Sequence, residues 1–488
     1  MRRSLIMDKD AAGYQRYSSP FAERFASAEM LHIWSPYRRI RTWRRCWIAL
    51  AEAEKELGLP IRDEQIEEMR SAADDIDFEK ARAYEQKTRH DVMAHIHAYG
   101  DVAPQARPII HLGATSCDIT DNADLILLRE ALDLVLTRLV NVLAVLRDFA
   151  DRWKDLPCLG YTHYQPAQLV TVGKRACLWA QDFLMDAVAV DRFLGEMRAR
   201  GAKGATGTQA SFLALFHGDN DKVKALDQTY ARRLGFMETL LISGQTYPRK
   251  WDTQVLQLLA GIGESAHKMA TDLRLLQNQN EIEEPVESTQ VGSSAMAYKR
   301  NPMRCERTCA LARYLIGLPL YGASTASIQW LERTLDDSAI RRIILPEGFL
   351  AADAVLVLCQ NIISGATVYP TVIARHVAQE LPFMATENIL MAAVERGGDR
   401  QHLHEIIRRH AHEVARLCRE EGRPNDLLER LANEPDLGLT REALDQLLDV
   451  KQFVGRAPDQ VVKFLTCEVD PFLDKHRARL GLTAEVRV

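Results

Sequence analysis

The feature that most constrains this chain is the length of its helical segments. From about residue 121 to 156 apolar positions recur with a helical period, Asp121 or Asn122 offers a good cap, and Pro157 supplies the stop. At 1.5 Å per residue such a rod is about 50 Å long, and it can bury its apolar face only against partners of similar length. Segments near 167–200, 250–284, 303–330 and 340–365 supply them. Strand patterns are scarce. The expectation is an all-α fold in three helical domains. A shorter-helix, tryptophan-rich unit spans 1–115, a central five-helix bundle 116–368, and a highly charged helical unit 369–488. About three domains is also the natural division of 488 residues.

A formal charge of −5 gives no basic field for nucleic acid, so any anion must be held by local positive charge. The nine cysteines are scattered; the nearest pair, Cys305 and Cys309, is a CxxxC and not a zinc-type CxxC, which suggests a reducing compartment. Arg2 and Arg3 precede too few apolar residues for a signal peptide, because Asp8 follows at once. The most apolar stretches, near 125–149 and 348–369, are interrupted by Arg138, Arg147 or Asp353 and read as buried helices, not membrane spans. A cytoplasmic protein with neither a nucleic-acid nor a membrane partner is expected.

Polar, glycine-bearing stretches sit at the predicted helix ends: "HLGATSCDITDN" (111–122), "LGYTHYQPAQ" (159–168), "GAKGATGTQASF" (201–212), "SGQTYPRK" (243–250) and "QVGSSAMAYKRNPMRCER" (290–307). Each alone reads equally well as an ordinary connection. If the long helix is continuous, however, Thr115 and His163 lie at its opposite ends and cannot share a site within one chain. A symmetric homo-oligomer with sites built across subunits follows.

The last of these stretches places Ser293 and Ser294 beside Lys299 and Arg300, with Asn301 and Pro302 in cap and first-turn positions. Amides and cations converging there would stabilise an anion, bound or formed during reaction; a basic surface loop is the plainer alternative. His90, His95 and His97 cluster, but without HExxH spacing or an acidic or cysteine set, so no metal is expected. His402, His404, His410 and His412 read as dots on a solvated helix face.

"GSSAMAYKRNP" resembles the GSSxMPxKxNP signature of the fumarase/aspartase superfamily. The resemblance extends over nearly the whole chain through "RHDVMAH", "HLGATSCD", "GYTHYQPAQ", "GATGTQASF", "SGQTY", "QWLERTLDDSAIRR" and "LPFMATENI". Within the superfamily, "ERTLDDS" and "RHDVMAH" are similar to the animal-like adenylosuccinate lyase family more than to argininosuccinate lyases, fumarases or aspartases. The resemblance implies a homotetramer that eliminates fumarate from adenylosuccinate and from the succinylated imidazole-carboxamide nucleotide SAICAR, with no cofactor and no metal. It implies Ser293 as general base, Lys299 as the cation favouring its alkoxide, His163 as general acid and Glu306 as the carboxylate orienting that histidine. The implied substrate contacts are Arg24, Arg89, His90, Asp91, Thr115, Ser116, Thr162, Gln245, Asn301, Arg307, Arg333, Ser338 and Arg342. Arginine forks suit a phosphate and two carboxylates, and the neutral side chains suit hydrogen bonding. Two residues depart from the family pattern: Phe25 stands where a tyrosine is usual, and Ala297 where the signature has proline. Another fumarate-releasing lyase, or an inactive structural homologue, is the alternative.

Overall fold

The computed structural model describes residues 17–287, 296 and 298–486. A helix α1 (Pro36–Glu56), started by the Ser35 side chain accepting the Arg38 N–H, packs with α2 (Asp91–Val102) beside the bundle. The bundle itself is made of α3 (Ser116–Arg152), α4 (Val172–Glu196), α5 (Lys250–Asn278), α6 (Met303–Gly317), a short α7 (Pro319–Ser327) and α8 (Asp337–Gly365). The strands among the described residues are two antiparallel pairs: β1 (Pro157–Thr162) with β2 (Gln165–Thr171), and β3 (Ile282–Glu283) with β4 (Thr367–Val368). The all-α expectation holds.

Four boundaries differ from the sequence reading, each for a local reason. Helix α3 begins five residues before Asp121, with Thr115 in extended conformation and its N–H bonded to the Asp118 carboxylate at 2.8 Å. The expected caps are spent elsewhere. Asp121 accepts the Tyr247 N–H at 2.8 Å, and Asn122 exchanges hydrogen bonds with the Gly201 backbone at 3.0 Å in each direction. With 37 residues, α3 is about 55 Å long.

The stretch 159–168, expected as a helix connection, is a β-hairpin, so the helix expected from 167 starts only at Val172, where Thr171 caps it. Its two-residue turn is His163 and Tyr164, with φ of 53° and 56°. Positive φ at both positions is the demand of a hairpin turn matched to strand twist, usually met by glycine or asparagine. Gly160 permits the bulge beside it, because a Cβ there would lie 2.5 Å from the Gln168 carbonyl oxygen.

The segment 250–284 leaves helix at Asn278 and enters β3, and the segment 303–330 breaks at Pro319, which cannot donate to the turn before it. Helix α8 keeps Pro346 in its interior. It is long and apolar enough for a membrane span, yet 83% of its apolar window is buried inside the fold, where it forms the centre of the bundle. Arg138 and Asp353, the charges that interrupt the two apolar stretches, are each other's partners in that centre, 3.1 Å apart.

Beyond α9 (Pro370–Met384), residues from Ala385 to Leu444 build a second, smaller core around α10 (Thr386–Glu395) and α11 (Arg400–Glu421). The chain then returns to the bundle. Val461, Leu465 and Leu473 join the main core, and Asn141 of α3 bonds Arg479 O at 2.8 Å and Gly481 N at 2.9 Å.

Candidate active site

Where α3 and α8 begin, a cavity of about 580 Å³ opens between them, α1 and the start of α2. Its lining brings together Arg89, His90, Asp91, Ser116, Gln245, Arg333, Ser338 and Arg342, and Thr115 adjoins it as the residue before α3. Arg89 ends the preceding helix in the left-handed region, which swings the chain so that His90 can cap α2. The His90 Nδ1 accepts the Met93 N–H at 3.3 Å, leaving Nε2 as the site of the proton on the neutral ring. Asp91 meets Arg342 at 2.9 Å; burial opposes its charge, but Arg342 and Arg39 outweigh burial and hold its pKa below the ordinary carboxylate range. Gln245 is fixed by its N–H to Glu332 O and its side-chain amide to Ala205 O, both at 3.0 Å.

Beneath these groups lies a network that the sequence reading missed. Arg249 reaches Asp121 at 3.1 Å and Asp337 at 2.6 Å, Arg333 reaches Asp337 at 2.7 Å, and Arg341 reaches Asp252 at 2.7 Å and Asp124 at 3.0 Å. The Tyr247 hydroxyl bridges Asp252 and Arg341. Burial opposes ionisation of Asp337, yet Arg249 and Arg333 keep its pKa low; at Asp124 burial wins, and its pKa is raised despite Arg341. Behind the network Asp118 takes Arg200 and the N–H groups of Lys203 and Gly204, tying the loop 201–209 to the start of α3. Each partner fixes the others in a low-dielectric setting, so the cavity floor is rigid and nearly charge-balanced. The available signal was the set of acids and arginines lying within otherwise apolar helical stretches.

The remaining predicted residues lie elsewhere. Thr162 and His163 form the exposed tip of the β1–β2 hairpin, beyond the far end of α3. The hairpin is tied to the end of α5 by Tyr161 Oη to Gln279 at 2.8 Å and by Gln279 to Tyr164 Oη at 3.2 Å. Chain leaving α5 there leads to Lys299, which is exposed, to Asn301, and to Glu306 in the first turn of α6. No hydrogen bond or ion pair among the described residues joins Glu306 to His163 within one chain. Arg24 and Arg307 stand together on the flank of the bundle. Burial, then repulsion from Arg24, lowers the Arg307 pKa, and its guanidinium lies 5.5 Å from the Phe25 ring, so the residue that replaces tyrosine serves as a platform. Ser293, Ser294 and Ala297 lie outside the described residues.

One expectation about this end is corrected. Asn301 and Pro302 do not form a cap and first turn: α6 starts at Met303, and the carboxylate of Glu284 accepts the N–H groups of Arg304 at 2.9 Å and Cys305 at 2.8 Å. Two of the amides at this helix start are thus taken by the chain's own buried acid, and those beside Ser293 and Ser294 lie outside the described residues. Positive charge here comes from side chains, Lys299 and Arg300, the latter 3.0 Å from Glu283.

The histidine clusters also divide. His95 packs edge-on to Trp43 and Phe78, with burial lowering its pKa to about 4, while His97 lies against Tyr84. On α11, His402 and His410 pair with Asp436 and Glu434, whereas His404 and His412 line a groove against α10 with Arg400 and Arg408.

A family model described as "Lyase" matches residues 22–317, and one described as "Adenylosuccinate lyase C-terminus" matches residues 382–464, largely the unit with its own small core. Adenylosuccinate lyase of Saccharomyces cerevisiae is 55% identical over 471 residues, 96% of this chain and 98% of that protein. That of Schizosaccharomyces pombe is 54% identical over 463 residues, 94% and 96% respectively. Among solved structures, a fumarate lyase from Mesorhizobium sp. BNC1 superposes with a TM-score of 0.78 at 24% identity, covering 93% of this chain and all of that one. A 3-carboxy-cis,cis-muconate lactonizing enzyme from Pseudomonas putida gives 0.79 at 22% identity, covering 95% and 99%, and both likenesses bear on the fold. By sequence along almost its whole length, the chain belongs to the adenylosuccinate lyase family.

Proposed function

We propose that the chain cleaves adenylosuccinate to AMP and fumarate, and SAICAR to AICAR and fumarate, as a cytoplasmic homotetramer whose sites are each assembled from more than one subunit. The observation that carries the assembly is the division of the candidate residues between the two ends of a 37-residue helix. Arg89, His90, Asp91, Thr115, Ser116, Gln245, Arg333, Ser338 and Arg342 stand at one end, and Thr162, His163, Lys299, Asn301 and Glu306 at the other. The central unit 116–368 supplies the rod, and the units 1–115 and 369–488 flank it. Antiparallel bundles from neighbouring subunits bring unlike ends together.

In the assembled site Ser293 takes the Cβ proton of the succinyl group, Lys299 favours the serine alkoxide, and the electron pair moves to form the fumarate double bond as the C–N bond breaks. His163 donates a proton to the departing nitrogen, with Glu306 holding the ring. Arg24, Arg307 and the cavity arginines bind the substrate anions. Imidazole is the side chain best suited to giving and taking a proton near neutral pH. The test is to incubate the purified protein with adenylosuccinate and with argininosuccinate and follow fumarate by absorbance. Release from adenylosuccinate alone is expected; release from argininosuccinate alone, or from neither, overturns the proposal.

A further inference from the structure

Helix α11 breaks two rules of helix charge. Its first turn opens with Arg400 and holds no acidic residue, so a cation stands at the positive end of the helix dipole. Basic side chains then recur at every fourth position, Arg400, His404, Arg408, His412 and Arg416, the spacing that stacks neighbours on a helix and sets like charges against one another. Only part of this is compensated within the protein. Arg408 is held by Glu405 at 2.6 Å, and Arg416 by Glu413 at 2.9 Å and Glu420 at 2.7 Å. No hydrogen bond or ion pair among the described residues holds the side chains of Arg400, His404 or His412. A sequence that works against its own local structure in this way marks a surface kept for another purpose.

Four residues overshoot a helical turn of 3.6, so the stripe drifts around α11 and borders two grooves in succession. The first, of about 360 Å³, lies between α10 and α11. Its floor is apolar, with Leu390 and Ile407 buried and Ala411 half-buried, and Arg400, His404 and Arg408 of α11 stand across it from Thr386 and Glu387 of α10. The second continues from it, sharing Arg408 and His412 and adding Arg409, Arg416 and Arg419; its four arginines face two glutamates, and Ala415 is its only apolar lining. A ligand that matches this run has a flat, weakly polar body at one end and a polyanionic tail at the other. Ile407 and Arg416 are about 14 Å apart along the helix, a span that a nucleoside triphosphate covers from base to terminal phosphate. Thr386 and Glu387 supply acceptors for an amino group on the base, and arginine forks suit phosphate oxygens.

We propose that the paired grooves of α11 form a second ligand site, separate from the cavity at the start of α3, which takes an amino-bearing nucleoside triphosphate with its base over Leu390, Ile407 and Ala411 and its phosphates on Arg408, Arg409 and Arg416. The site lies in the unit with its own small core and stands whatever reaction the cavity runs. The experiment measures equilibrium binding of ATP, inorganic triphosphate and a poly-glutamate peptide to the intact oligomer in magnesium-free buffer. Arg400→Gln combined with Arg408→Gln should weaken ATP by roughly tenfold or more and leave adenylosuccinate turnover within about twofold, since neither arginine lines the cavity. Ala411→Leu, which crowds the floor and spares the cations, should weaken ATP severalfold and leave triphosphate unchanged. Arg342→Gln controls for nucleotide in the cavity: it should weaken AMP and leave ATP at the grooves as it was. Absence of ATP binding overturns the proposal, as does a loss of ATP that follows Arg342→Gln and not the α11 variants. Triphosphate or poly-glutamate bound as tightly as ATP also overturns it, because the grooves would then be a plain anion patch. Should Ala411→Leu disturb the small core, the two arginines, both exposed, carry the comparison of ATP with triphosphate.

Discussion

The two ends of the bundle handle charge in opposite ways. At the cavity end, arginines and acids are buried and paired across long sequence separations. At the hairpin end, His163, Lys299 and Glu306 stand exposed, and the buried acids there are spent locally, Glu284 on capping a helix and Glu281 on His376 at 2.8 Å. One end is built to hold a shape, and the other presents exposed polar groups that, on the proposed assembly, face a neighbouring subunit. The difference suits a proposed site in which a rigid binding half receives a chemical half from a neighbour.

Substitutions at the two ends should therefore fail differently. The largest effect is expected for His163→Ala, which should lower turnover by about 10²–10⁴-fold while leaving the melting temperature unchanged, as an exposed turn residue carries little stability. Steady-state rates and a thermal melt check both halves of that statement. At the opposite end, Asp118→Ala strands Arg200, which like Asp118 is fully buried, and should cost about 3–5 kcal/mol in denaturant unfolding. A stable Asp118→Ala protein would erase the contrast.

Glu54 tests the rule from the other side. It sits on α1, the helix that gives Arg39 to the cavity, but neither of its carboxylate oxygens has a hydrogen-bond partner among the described residues, and burial raises its pKa from 4.5 to about 9. The unfolded chain loses this proton above pH 4.5 while the folded chain keeps it, so stability falls as pH rises between those values. Glu54→Gln should then stabilise the fold by about 2–3 kcal/mol near pH 7, with the gain vanishing near pH 4. A gain independent of pH would contradict this origin. The smallest effect is expected at the hairpin. Tyr161→Phe removes the bond to Gln279 and should cost about 1 kcal/mol, with faster amide exchange confined to residues 157–171.

The same contrast explains what could be read before the structure. The long helices announce themselves through periodicity, yet the start of α3 was misplaced because Asp121 and Asn122 look like caps while serving distant loops. The hairpin was hidden because Pro157, Gly160 and Pro166 interrupt its short strands and because a tight turn of His163 and Tyr164 carries no glycine. Motif resemblance pointed to Gln245, Arg333 and Arg342, which the cavity does bring together. The floor beneath them was illegible because its pairs are remote: Asp121 and Arg249 are 128 residues apart, and Asp252 and Arg341 are 89 apart.

The central claim is that the two ends meet between subunits, and mixing tests it directly. His163→Ala and Gln245→Ala proteins, each nearly inactive alone, would be co-expressed with different tags and the mixed assemblies isolated. Sites that draw His163 from one subunit and Gln245 from another should recover up to about a quarter of the unmodified activity in a random mixture. Mixed assemblies no more active than their parents would show that each chain supplies both residues to its own site, and the account would fail.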